Sequence, residues 1–153
     1  MGLGHVELAM VQAEAAKSHY GPWVLNCQAP DEGNMHTLLH WGTEEQLDKY
    51  LKPLCEGRAT SCFAMTEPDV AGSDPTLIQT SGYQDGNEWV INGHKWFISN
   101  AHRANFAILV VRTEENPDIP QAANSAFIID LPHVGWNEVR EIETMHGVTG
   151  HSE

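Results

Sequence analysis

Basic residues are scarce in this chain of 153 residues. Lysine and arginine together number 8, against 21 aspartates and glutamates, so the formal net charge is −13. A protein that binds nucleic acid needs a basic surface to meet the phosphates, and this composition supplies none. The sequence therefore predicts no nucleic acid as a partner. The same charge argues against docking on anionic lipid.

Cysteines are also few. The three present, Cys27, Cys55 and Cys62, are odd in number and form no C-x-x-C pair. A disulfide framework is therefore not expected, and a reducing intracellular compartment is favoured. We interpret all three as small buried hydrophobic residues.

Long apolar runs are missing. The longest, Phe106–Val111, is far too short to span a bilayer. Residues 1–5 lack the basic flank and apolar stretch of a signal peptide. The sequence therefore predicts no membrane insertion. Hydrophobic residues still make up 41% of the chain, which is enough to bury a core.

The first sixty residues have helical periodicity. Apolar residues at three- and four-residue steps predict a helix over 5–20, which Gly21-Pro22 should end. A second helix is predicted over 34–41. A third should begin at Thr43, where T-E-E-Q is a capping-box pattern, and end at Gly57.

After Arg58 the pattern changes to short strands with turn residues between them. Asp85-Gly86 and Asn92-Gly93 are typical of hairpins. A polar loop is predicted over 113–121. The strands are predicted over 61–66, 77–83, 89–91, 95–99, 106–112, 125–131 and 136–142.

This pattern predicts an α+β chain with two parts. A helical segment over 1–58 should precede an antiparallel β-barrel or sandwich over 59–153. Residues 147–153 contain no predicted helix or strand that would close a domain. We therefore expect the β domain to be truncated.

Two segments of the β part carry a family resemblance. Residues 63–74 read F-A-M-T-E-P-D-V-A-G-S-D, and residues 91–100 read I-N-G-H-K-W-F-I-S-N. Taken together and in this order, they resemble the two flavin-binding signatures of the acyl-CoA dehydrogenase family. The resemblance covers nearly the whole chain, more loosely over the first sixty residues. It identifies a partial chain: the end of the N-terminal helical domain and most of the middle β domain.

The resemblance implies FAD as the cofactor and an acyl-CoA as the substrate. The implied reaction is α,β-dehydrogenation of the thioester, in which hydride passes from Cβ to flavin N5. An electron-transfer flavoprotein is the implied electron acceptor, and fatty acid metabolism, including beta-oxidation, the implied setting. The parent protein is expected to be a homotetramer or dimer. Its location would be cytoplasmic in a bacterium, and mitochondrial or peroxisomal in a eukaryote.

The resemblance also assigns residues. Met65 and Thr66 are candidates to offer donors to the flavin N1–C2=O2 edge, where reduction places negative charge. Phe97 would lie against the isoalloxazine ring, and Ser99 near N5. Ser73 would contact the acyl-CoA thioester arm. The complete cofactor-binding set is Phe63, Ala64, Met65, Thr66, Gly72, Ser73, Phe97, Ile98 and Ser99.

Within the first segment, Glu67-Pro68 should end the strand, because proline has no N–H for a ladder. Gly72 would allow backbone to approach a ligand closely. In the second segment, strand alternation predicts that Trp96 and Phe97 face opposite ways.

No catalytic residue is assigned. In the family the base glutamate lies in a C-terminal helical bundle, which these 153 residues do not include. Glu67 belongs to the flavin strand and is not assigned as the base. No metal site is predicted either, since His36 and His40 lack the glutamate that would follow the first histidine in a zinc helix.

Two alternatives stay open. The chain could be a non-catalytic module that binds flavin or acyl-CoA, because the base is missing. It could also come from an acyl-CoA oxidase or a flavin monooxygenase relative, which would keep the fold and change the chemistry. We expect FAD to bind this chain alone only weakly, because the family builds part of the dinucleotide site from neighbouring subunits.

Overall fold

The computed structural model describes residues 2–115, 118–145 and 147–153. The chain forms two compact units, Met1–Arg58 and Ala59–Glu153. The first is helical and the second is built on strands, which confirms the predicted α+β class. Across the described ranges, no helix is both long and apolar enough to cross a membrane.

The helical unit starts with α1 (His5–Ala15) and α2 (Gly21–Val24). The helix predicted over 5–20 therefore ends early. Gly21-Pro22 begins a new helical turn instead of only ending the previous one, since proline is tolerated where the first N–H groups have no partner anyway. None of the described residues of α1 is buried.

Helix α3 (Asp31–Trp41) begins three residues before the predicted start. Asp31 and Glu32 lie in its first turn, where negative charge interacts favourably with the helix dipole. Leu38 on α3 is 2% exposed and belongs to the core of this unit.

The predicted capping box at Thr43 is present and begins α4 (Glu44–Gln46). The Gln46 N–H donates to Thr43 Oγ1 at 3.3 Å, and the Thr43 N–H donates to Gln46 Oε1 at 2.9 Å. The helix continues through a π-helical turn (Leu47–Leu51) into α5 (Lys52–Cys55). The proline at position 53 explains the π turn, because it cannot donate the usual bond four residues back. The helix ends before Gly57, whose φ of +68° suits glycine.

We expect Thr43→Ala to lower the stability of the helical unit by about 1 kcal/mol, because the Gln46 N–H loses its acceptor. Thr43→Ser keeps the hydroxyl and is the matched control. Urea denaturation followed by circular dichroism at the helical band would measure both variants. Equal losses in the two variants would contradict the capping role.

The described part of the second unit contains eight strands. They are β1 (Ser61–Ala64), β2 (Ser81–Asp85), β3 (Glu88–Asn92), β4 (Ile98–Ser99), β5 (Phe106–Arg112), β6 (Asn124–Asp130), β7 (Glu141–Thr144) and β8 (Gly147–Ser152). They form two sheets, one with β1, β5, β6, β2 and β3, and one in the order β4-β8-β7.

The larger sheet is mixed. Strand β5 pairs with β1 in parallel, with Ser61 opposite Phe106, and with β6 in antiparallel fashion. The expectation of a wholly antiparallel sheet was therefore wrong for two pairs, because both β1 and β2 pair with β5 in parallel. Among the described strands the sheets do not close into a barrel.

One predicted hairpin is confirmed and one is wrong. Strands β2 and β3 join through the two-residue turn Gly86-Asn87, directly after Asp85, and Gly86 has a φ of +61°. Asn92-Gly93 instead ends β3, and the strand that follows belongs to the other sheet. A Cβ on Gly93 would lie 2.2 Å from Thr80 Oγ1, so glycine is needed there for close packing.

The prediction for the last residues was wrong. Residues 147–152 form β8, which pairs with β4 on one side and β7 on the other. Gly147 and Gly150 have low strand propensity, so the strand depends on pairing with these two neighbours.

Other strands are shorter or shifted. Where a strand was predicted over 77–83, a 3-10 turn (Pro75–Leu77) precedes β2. The strand predicted over 95–99 is reduced to β4, and the one over 136–142 is shifted to β7, which begins at residue 141 and ends at 144. Residues 116 and 117 of the predicted polar loop lie outside the described residues.

The core of the second unit is apolar and includes Cys62, which is fully buried. The interpretation of all three cysteines as buried was wrong for Cys55, which is exposed and lies 3.5 Å from Met35 Sδ, and for Cys27, which is half-buried. The buried core cluster comprises Cys62, Ala64, Ile98, Ala107, Leu109 and Val111.

Candidate functional site

The two motif segments lie side by side in the second unit. Ala64 from β1 and Ile98 from β4 belong to one buried cluster, at 0% and 4% exposure. Their side chains fill the core, so any contact that they make with a cofactor would be through backbone.

Two further contacts join the segments just beyond the end of β1. Lys95 Nζ donates to the Met65 carbonyl at 2.9 Å, and the Trp96 N–H donates to the Thr66 carbonyl at 3.0 Å. Both carbonyl groups after the strand are therefore held by the second segment. This explains why residues 95–97 do not continue as a strand.

Glu67, the residue after Thr66, is buried and accepts several hydrogen bonds. Its carboxylate accepts hydrogen bonds from Lys95 Nζ at 2.8 Å, Thr80 Oγ1 at 2.5 Å, and the backbone N–H groups of Thr80 and Gln79 at 2.9 and 2.7 Å. The side chains of Glu67 and Lys95 are only 4% and 9% exposed.

These bonds set the charge of Glu67. Burial alone would raise its pKa, but the hydrogen bonds from Lys95, Thr80 and Gln79 outweigh it and lower the pKa from 4.5 to about 2. A general base needs a pKa near the working pH and room for a substrate proton. Glu67 has neither, so its chemistry is that of a structural anion.

The backbone at Phe97 differs from the predicted strand. Its φ is +53°, in the left-handed region, and its ring lies 4.8 Å from the Trp96 ring in an edge-on contact. The expectation that the two side chains face opposite ways was wrong, because the backbone there is not extended. A left-handed phenylalanine is rare and costs energy. Phe97 is 44% exposed and Phe63 37%, so both rings are available to a flat ligand.

Ser99 has a partner that was not foreseen. Its hydroxyl lies 2.8 Å from His151 Nδ1. The two residues are directly opposite each other in the β4–β8 ladder. Both are half-buried.

The loop with Gly72 and Ser73 lies close to Thr66, just beyond the end of β1. A Cβ on Gly72 would lie 3.0 Å from the Thr66 methyl carbon, so part of the close approach at this glycine is to the protein itself. Ser73 is exposed. Asp74 accepts a hydrogen bond from the Thr76 N–H at 3.0 Å, which starts the 3-10 turn that follows.

FAD suits the chemistry of these residues. A reduced flavin carries negative charge. The Glu67 carboxylate, which follows β1, is paired with Lys95, so its own negative charge is already compensated. The aromatic faces of Phe63 and Phe97 offer apolar area, and the hydroxyls of Thr66 and Ser99 can donate or accept.

Sequence reasoning missed three residues of this region. Lys95, Thr80 and His151 were given no role, although each bonds to a motif residue. Lys95 could have been found, because it is the sole lysine after residue 60 and directly precedes the apolar residues 96–98. His151 could not, because its pairing depends on β8.

Comparison with known proteins matches both parts of the chain. Residues 1–58 match the family model "Acyl-CoA dehydrogenase, N-terminal domain", and residues 62–153 match "Acyl-CoA dehydrogenase, middle domain". The chain therefore belongs to the acyl-CoA dehydrogenase family.

Individual relatives agree. The chain is 41% identical over 159 aligned positions to chicken (Gallus gallus) acyl-CoA dehydrogenase family member 11, covering 99% of this chain and 20% of that protein. A solved Mycobacterium abscessus structure assigned to the acyl-CoA dehydrogenases superposes with a TM-score of 0.91 at 35% identity, covering 99% of this chain and 38% of the other. A glutaryl-CoA dehydrogenase from Mycobacterium smegmatis in complex with FADH2 gives 0.65 at 28% identity, covering 78% and 28%. The chain thus spans about a fifth of the chicken relative.

Proposed function

We propose that this chain is the flavin- and thioester-holding part of an FAD-dependent acyl-CoA dehydrogenase. The observation that carries the proposal is the bridge between the two segments, in which Lys95 and Trp96 hold the carbonyl groups of Met65 and Thr66. The family resemblance assigns the backbone of Met65 and Thr66 to the flavin N1–C2=O2 edge. The bridge fixes the orientation of these two peptide groups.

The bridge also makes the Thr66 N–H a stronger hydrogen-bond donor. The Met65 carbonyl and the Thr66 N–H belong to one peptide unit, so the Lys95 ammonium that binds the carbonyl polarises the N–H. A polarised N–H is a better partner for the N1–C2=O2 edge when negative charge develops there. The Thr66 hydroxyl would add a second donor.

The remaining residues would orient the ligands. Phe97 would cover one face of the isoalloxazine ring, and Ser99 would bond near N5. Gly72 would allow close backbone approach, and Ser73 would bind the thioester arm. When bound, FAD supplies the hydride acceptor.

The acid–base part of the reaction is proposed to lie outside these residues. The four hydrogen bonds to Glu67 and its pKa of about 2 support a structural role for this carboxylate and not that of the base. We therefore place the base glutamate elsewhere in the parent protein. An electron-transfer flavoprotein as electron acceptor, a homo-oligomer and an intracellular location complete the proposal.

The test uses the product of the complete reading frame that encodes this chain. We expect a yellow protein whose flavin absorbance is bleached by an acyl-CoA without oxygen, and not by free CoA, which has no acyl group to oxidise. The measurement is the flavin spectrum during anaerobic titration with short, medium, long and branched acyl-CoAs. A colourless protein, or a flavin that none of these thioesters bleaches, would overturn the proposal. Rapid reoxidation of the bleached flavin by oxygen would favour an oxidase.

A further inference from the structure

A hydrogen bond connects one proposed flavin residue to a histidine that has no place in either motif. Ser99 Oγ and His151 Nδ1 are 2.8 Å apart, within the range of a good hydrogen bond. The contact is fixed by the ladder, because the two residues face each other across β4 and β8.

The backbone next to this pair is held from both sides. The Asn100 N–H donates to the Gly150 carbonyl at 2.9 Å, just beyond the register position of Ser99 and His151. Ile98 on the other side is in the core at 4% exposure. The separation of the serine and histidine side chains therefore follows from strand pairing.

A serine hydroxyl alone rotates freely and has one hydrogen to donate. With an imidazole nitrogen at 2.8 Å, only two arrangements are favourable. When Nδ1 is unprotonated, Ser99 donates its hydrogen to His151 and offers lone pairs to a ligand. When Nδ1 carries a hydrogen, His151 donates to Ser99, and the Ser99 hydrogen points to the ligand.

Each of the two arrangements suits one redox state of flavin N5. It accepts a hydrogen bond in the oxidised ring and carries a hydrogen in the reduced ring. A hydroxyl whose partner can exchange tautomers can match either state without moving its oxygen atom. A hydroxyl without that partner must find its orientation at the moment of each reaction step.

We propose that His151 is a positioning residue that orients the Ser99 hydroxyl toward flavin N5. It acts through Ser99 and makes no contact with the flavin in this proposal. The inference rests on the proposed function, since it needs a flavin beside Ser99.

The test is a double-mutant cycle on the product of the complete reading frame. The variants are Ser99→Ala, His151→Leu and the double variant, and the measurements are FAD affinity and the flavin midpoint potential. Each single change removes the same oriented hydrogen bond, so we expect each to weaken FAD binding by about 3- to 10-fold. The double variant should match Ser99→Ala, because His151 has nothing left to orient.

His151→Asn is the matched control. Its amide can place a nitrogen or oxygen near the position of Nδ1, and we expect affinity and midpoint potential close to those of the unchanged protein. A thermal melt of the flavin-free variants separates this effect from loss of folding. If His151→Leu does not fold, the comparison of His151→Asn with His151→Ala tests the same bond.

Two results would overturn the inference. One is additivity, in which His151→Leu weakens FAD binding by the same factor in the Ser99→Ala background as in the unchanged protein. The other is a midpoint potential that none of the His151 variants shifts. Both differ from failure of the proposed function, in which the unchanged protein itself binds no flavin.

Discussion

Replacing Lys95 with methionine is expected to lower the free energy of unfolding of the 59–153 unit by about 3 kcal/mol. Methionine keeps most of the apolar stem and removes the ammonium group. Glu67, at 4% exposure, would then be an anion without its counter-charge, and the Met65 carbonyl would lose its donor. Removing one partner of a buried pair is costly because the other partner cannot return to water.

The chain offers a matched control. Lys17 and Glu14 form an ion pair at 2.7 Å, nearly the same N···O distance as the 2.8 Å between Lys95 and Glu67. Their side chains are 71% and 74% exposed, so water already screens the pair. We expect Lys17→Met to change stability by less than about 0.5 kcal/mol. The two pairs have similar N···O distances and differ in burial and in the additional bond from Lys95 to the Met65 carbonyl, so the comparison measures what these two features contribute.

Native-state hydrogen exchange resolved by peptide would measure both variants, since it reports each unit separately. The double variant Glu67→Gln/Lys95→Met should regain part of the loss, because no buried charge is then left unpaired. A loss below about 1 kcal/mol in Lys95→Met would contradict the assigned role. If Thr66 binds the flavin as proposed, the same substitution should weaken FAD binding, since the Thr66 N–H would no longer be polarised.

Local patterns predicted the parts of the structure that depend on near neighbours. The capping box at Thr43 and the hairpin at Asp85-Gly86 each need only a few consecutive residues, and both are present. The two motif segments were recognisable for a similar reason, since each is a short continuous run of residues.

Partners far apart in the chain were harder to predict. Glu67 and Lys95 stand 28 positions apart, and Ser99 and His151 stand 52 apart. The helical or strand periodicity of a sequence does not predict such a contact. Strand β8 was missed for the same reason, because two glycines interrupt its sequence and the strand is stabilised by pairing with β4 and β7.

The left-handed conformation of Phe97 also escaped prediction. Pattern reasoning assumes extended backbone in a strand, and alternation of faces follows from that assumption. Here the bond from the Trp96 N–H to the Thr66 carbonyl turns the chain just before Phe97, whose φ is +53°. Rules for regular elements fail where backbone strain occurs, and strain is common at binding sites.

Acidification should destabilise the 59–153 unit through Glu67. Its pKa in the folded chain is about 2, below the ordinary value of 4.5. A carboxylate whose pKa is lowered by folding stabilises the fold fully at pH above the unfolded value. That contribution is lost as pH falls from about 4.5 to about 2, because the unfolded chain then takes up a proton more readily. A shift of this size corresponds to on the order of 3 kcal/mol.

Glu67→Gln is the variant that isolates this contribution, because glutamine keeps the shape and cannot titrate. The unfolding free energy, measured in urea between pH 6 and pH 2.5, should fall less steeply for Glu67→Gln than for the unchanged chain. Asp74 provides the control, since its pKa is also lowered, by hydrogen bonds from Thr76, but the residue is exposed. Asp74→Asn should leave the steep fall in place. Parallel pH profiles for the unchanged chain and Glu67→Gln would show that the buried pair with Lys95 does not govern acid stability.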